Sequence, residues 1–66
     1  MTFDEQQFLD WLDDQEGPIT KTTMDEQWPD FPWKYMAYNT GPIVEGDYAY
    51  YKHDLRLAAK KQQNPD

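Results

Sequence analysis

The chain has 66 residues, a formal net charge of −7 and no cysteine. Such a length holds one domain at most, and without cysteine neither disulfides nor cysteine-ligated zinc can brace it. An acidic surface repels phosphate backbones, which argues against direct binding of DNA or RNA.

A domain of about 60 residues buries only ~60% of the surface its unfolded chain exposes. Three Trp, five Tyr and three Phe offset that weakness, because each large ring removes ~150–250 Å² from water. No apolar run approaches the ~20 residues of a membrane span. The stretch from Met1 to Asp10 is acidic and lacks the apolar core of a secretory signal. These features lead one to expect a cytoplasmic protein, or one working in the cytoplasm of a host.

The charge is unevenly spread. Residues 1–30 hold nine acids against Lys21 alone, a balance of −8, whereas residues 31–66 hold four acids and five bases, a balance of +1. Asymmetry of this kind speaks of partners and not of fold: the first half should be drawn to basic surfaces.

In chain order, Thr2-Phe3-Asp4-Glu5 has the pattern of a capping box. Apolar residues follow at Phe8, Leu9, Trp11 and Leu12 before the stop signal Gly17-Pro18. A helix over 3–15 is predicted. Thr23-Met24-Asp25-Glu26 could open a second helix, which Pro29 limits to a turn or two. From Trp28 to Trp33 the chain is aromatic and punctuated by Pro29 and Pro32. Pro32 could be the first residue of a short helix reaching Tyr38.

Residues 40–46 read as a loop, and Asp47 reads as the N-cap of a last helix over 48–62. Tyr48, Tyr51, Leu55, Ala58 and Ala59 share one stripe of that helix, which leaves Tyr50 and Leu57 facing out. Residues 63–66 read as a disordered tail to a single domain over 1–62. The expected fold class is therefore mainly α, a small compact helical domain with an irregular aromatic and proline-rich middle. The alternative is α+β, with residues 33–38 and 47–52 paired as a hairpin, because tyrosine favours strands.

Three groups of residues suggest contacts with a partner. The first is acidic: Asp10, Asp13, Asp14 and Glu16 on and after the first helix, then Asp25, Glu26 and Asp30. Asp10 stands i,i+3 and i,i+4 from Asp13 and Asp14, so these like charges repel. Asp13, Asp14 and Glu16 also sit where the helix dipole disfavours anions, by about 0.3–1 kcal/mol each. The second is the pair Trp28 and Trp33, which either close the core or serve as exposed anchors of the type enriched in binding hot spots. The third is the Tyr50/Leu57 edge, suited to a partner or to a second copy.

Catalysis finds little support. His53 is the only histidine, and on a helix it diverges from Asp54 by 100°. Serine and cysteine are absent, and the glycines are isolated turn residues with no phosphate-loop spacing. A calcium loop fails too, since with Gly17 at its sixth position the first would be Leu12. No catalytic residue, metal or cofactor is expected.

The expected function is that of an acidic protein-binding module, an inhibitor or modulator docking on a basic surface of a partner protein. Small phage and mobile-element proteins that bind host enzymes have a similar composition. The alternatives are a nucleic-acid mimic that blocks a DNA- or RNA-binding site, and a structural subunit of an oligomeric assembly.

Overall fold

The computed structural model describes residues 3–36 and 41–61. Helix α1 (Glu5–Asp13) begins on Asp4, whose carboxylate accepts the Gln7 N–H at 3.1 Å. One of the amides that a helix start leaves unpaired is thereby satisfied. The cap is thus two residues later than the capping box expected at Thr2, which lies outside the described residues. Phe8 and Leu12, four residues apart, are fully buried on one face of α1.

Strand β1 (Ile19–Thr20) leads directly into helix α2 (Lys21–Gln27). Here the shift runs the other way and the cap precedes the expected one: Thr20, and not Thr23, accepts from the Thr23 N–H at 3.2 Å. Met24 turns the inner face of α2 into the core. The segment after Pro32 forms a single 3-10 turn (Trp33–Tyr35), in which the Tyr35 and Met36 N–H groups donate to the Pro32 and Trp33 carbonyls, three residues back, at 3.1 and 3.0 Å. The expected helix to Tyr38 is not seen as far as Met36, and its end lies outside the described residues.

The largest departure from expectation lies at residues 43–50. Strands β2 (Ile43–Val44) and β3 (Asp47–Tyr50) form a hairpin, with Ile43 opposite Tyr48 and Val44 opposite Asp47. The two-residue turn is Glu45-Gly46, with φ of 53° and 81°. Positive φ at both positions is what a tight hairpin turn needs to match the twist of its strands. β3 also pairs antiparallel with β1, Ile19 opposite Tyr50 and Thr20 opposite Ala49, so the sheet order is β1-β3-β2. With partners on both sides, the backbone of β3 gains more from the ladder than from the first turns of a helix.

Helix α3 (Lys52–Lys61) therefore starts after the strand and not at residue 48. Its expected end at 62 and the tail 63–66 lie outside the described residues. Among the described residues the fold is a mixed α/β one: three α-helices and a small three-stranded antiparallel sheet. The hairpin alternative was right about a strand near 47–50 but wrong about its partner, since residues 33–35 form the 3-10 turn.

Phe8, Leu12, Ile19, Met24, Phe31, Tyr50, Leu55, Ala58 and Ala59 make one continuous buried cluster. A domain of this length has roughly 3–10 kcal/mol of total stability. Cutting Leu12 or Leu55 back to Ala costs about 2–5 kcal/mol, so either side chain is decisive. Tyr48 and Tyr51, expected on the inner stripe, are exposed, whereas Leu55, Ala58 and Ala59 are buried as expected.

Two glycines hold the hairpin for different reasons. A Cβ on Gly41 would collide with the carbonyl of Ala49, while one on Gly46 would meet nothing but would have to adopt a positive φ. Gly41→Ala should lower stability by roughly 2 kcal/mol or more and Gly46→Ala by about 1 kcal/mol, read from urea midpoints. The close approach at Gly41 is wrong if its variant is the milder of the two.

Candidate protein-binding face and aromatic groove

The face of α1 opposite Phe8 and Leu12 carries Asp10, Asp13 and Asp14, all exposed, and Glu16 follows just beyond. Asp10 accepts from the Gln6 side chain at 3.1 Å. Asp13 is engaged by Arg56 at 3.0 Å, and Lys52 donates to the Gln15 carbonyl at 2.8 Å. Both cations come from α3. The end of α1 is therefore not the uncompensated anion cluster that its own sequence suggests, because two positive charges are brought to it through the fold. The Asp13–Arg56 pair is exposed and contributes only ~0.2–1 kcal/mol.

On α2, Asp25 is bonded to Lys21 at 2.8 Å, one turn away on the same helix. That hydrogen bond raises the pKa of Lys21. Among the described residues, Asp10, Asp14, Glu16, Glu26 and Asp30 are exposed and pair with no cation. The acids thus divide by pairing and not by burial: all seven are exposed, Asp13 and Asp25 are paired with cations of the chain, and the other five have no such pairing among the described residues.

Asp47 belongs to neither group. Expected to cap α3, it instead caps α2 from the hairpin, accepting the Thr22 N–H at 3.0 Å across 25 residues of sequence. Hydrogen bonding from the Thr22 side chain, then from its backbone, lowers the Asp47 pKa below the ordinary aspartate value.

Trp28 and Trp33 are half-buried, and both turn inward. Trp33 lies between Phe31 and Tyr50, with ring centroids at 4.8 and 5.0 Å, and is not a free anchor. Tyr50 is 8% exposed, which corrects the outward Tyr50/Leu57 edge. As a strand residue opposite Ile19 it points into the core, and only Leu57, at 49%, faces out. Besides Leu57, the exposed large hydrophobic side chains among the described residues are Tyr48 at 66%, its cross-strand neighbour Ile43 at 59%, and Tyr51 at 51%.

Trp28 packs edge-on against Phe8, Phe3 and Trp11, at 5.1, 5.7 and 5.7 Å. Among the described residues its buried indole N–H meets no acceptor, an arrangement that costs about 1–3 kcal/mol unless another group completes it. Beside it an open groove of about 460 Å³ runs between α1 and the turn after α2. Phe3, Trp11, Trp28 and Pro29 give it apolar walls, and Asp4 and Asp30 bring carboxylates to it. The sequence alone places Phe3, Asp4 and Trp11 in the predicted helix over 3–15 and marks none of them as a contact residue. The pattern Asp4-Glu5-Gln6-Gln7 did carry the cap signal, but nothing local carried the meeting of residues 3–11 with 28–30.

His53 is exposed on α3, and among the described residues no three His, Asp or Glu side chains gather as metal ligands. No helix among them is long and apolar enough to cross a membrane. No protein-family model, curated protein or solved structure matches the chain.

The lowered pKa of Asp47 fixes the sign of one pH effect. The folded state favours the carboxylate, so its contribution is complete above the ordinary aspartate value of about 3.9. It is lost as pH falls through the lower folded-state value. The unfolding free energy of the wild type should therefore fall more steeply below about pH 4 than that of Asp47→Asn. Parallel pH profiles for the two proteins would show that the bond to Thr22 is not formed in solution.

Proposed function

We propose that the protein is an acidic binding module that docks on a basic surface of a partner protein and blocks or modulates that surface. The observation that carries this reading is the division of the acids. The fold supplies Arg56 and Lys21 to Asp13 and Asp25 but leaves Asp10, Asp14, Glu16, Glu26 and Asp30 exposed without cations among the described residues. Charges that the fold does not use repel one another, and a basic partner relieves that repulsion. Electrostatic complementarity of this type acts chiefly on the association rate and on partner choice. The acids of α1 and α2 stand on helices whose inner faces are buried in the core, and acids held on a folded support reduce the ordering cost of binding.

The test is affinity capture of a partner at low salt by the wild type and by the triple variant Asp10→Asn, Asp14→Asn, Glu16→Gln. Asp13 is kept because it pairs with Arg56. The expected result is capture by the wild type, loss in about 1 M salt, where the screening length is ~3 Å, and loss in the variant. A partner retained under both changes contradicts the reading. Displacement of that partner by excess duplex DNA would favour the nucleic-acid mimic over docking on some other basic site.

A further inference from the structure

We propose that the groove between α1 and the Trp28–Asp30 turn receives an arginine side chain presented by the partner. This rests on the reading of the protein as a module for basic surfaces and names the contact at its centre.

The groove's volume, about 460 Å³, falls within the ~300–1,000 Å³ of small-molecule sites, and it is open along one side, as a protruding side chain requires. Its walls include the rings of Phe3, Trp11 and Trp28. Tryptophan is the best aromatic acceptor for a cation placed over its face within ~6 Å. Asp4 and Asp30 reach the same groove, and neither pairs with a cation among the described residues. Asp4 engages the Gln7 N–H through one oxygen and Asp30 is exposed, so both retain acceptor capacity.

Among the described residues, this combination occurs within the protein itself. Lys21 Nζ lies 5.2 Å above the Trp33 ring while bonded to Asp25 at 2.8 Å. The groove is lined by the same two kinds of group, tryptophan side chains and carboxylates. Two carboxylates flanking flat rings favour arginine over lysine: guanidinium is planar, stacks on aromatic faces and donates in two directions at once. A neutral apolar side chain would leave both carboxylates beside a hydrocarbon, at a desolvation cost.

The test is an NMR titration of the ¹⁵N-labelled protein with Ac-Gly-Arg-Gly-NH₂, and with the peptide in which citrulline replaces arginine. Citrulline keeps the shape and removes the charge. The expected result is a saturable shift of the Trp11 and Trp28 indole N–H signals, with Trp33 unmoved and citrulline weaker by about tenfold. Asp30→Asn should weaken arginine binding by a similar factor and Asp30→Glu should restore it. Asp30 makes no side-chain hydrogen bond among the described residues, so both variants should fold.

Equal shifts from citrulline, or unmoved Trp11 and Trp28 signals, overturn the proposal. If an oligo-arginine peptide moves only the amides around Asp10, Asp14 and Glu16, the groove is wrong and the acidic face stands. If it moves nothing, the reading of the protein as a module for basic surfaces fails with it.

Discussion

The structure depends on a continuous series of aromatic contacts that ties Phe3 and α1, through the segment 28–33, to the central strand β3. Phe3 touches Phe8, Trp28 and Phe31; Phe8 meets Trp11 and Trp28; Phe31 passes the series to Trp33, and Trp33 to Tyr50 on the central strand. Each such pair adds roughly 0.5–1.5 kcal/mol beyond the area it buries. In a chain with no disulfide and a small interior these contacts provide the bracing. They also explain why the proline-rich segment 28–33 is ordered without forming a regular element: its rings are fixed from α1 on one side and from β3 on the other.

Because the rings hold the fold, the acids need not. Where a negative charge would oppose the fold most, at the end of α1, α3 supplies Arg56 and Lys52. Asp47 is used to cap α2, and Asp25 is held by Lys21. The exposed acids that remain contribute repulsion, and the groove beside Trp28 places one of them, Asp30, together with Asp4, next to aromatic surface. Core and charge are thus separable, and this separation supports the reading of the acidic half as a surface for a partner.

Local signals were legible in the sequence to the extent that they acted locally. The amphipathic run Phe8–Leu12 gave α1, and Leu55, Ala58 and Ala59 gave the inner face of α3. The hairpin was hidden because Tyr48, Tyr51 and Leu55 sit at helical spacing, which extended α3 backward across β3. Its turn, Glu45-Gly46, also lacks the Asn-Gly or Asp-Gly signature. Asp47 shows the same limit: capping chemistry was recognised, but the helix it caps lies 25 residues earlier. The acidic surface was legible as composition, whereas the cations that neutralise Asp13 and the α1 terminus come from α3 and could not be read from α1 alone. The groove joins residues 3–11 to 28–30, a long-range meeting that no periodicity encodes.

The separation of core from charge is tested most directly by the urea unfolding midpoint, at low ionic strength, of the variant carrying Asp10→Asn, Asp14→Asn and Glu16→Gln. Exposed acids that only repel one another should leave the variant as stable as the wild type or more so, with the difference shrinking as salt is added. A variant clearly less stable than the wild type would show that these acids hold the fold together, and would contradict the account.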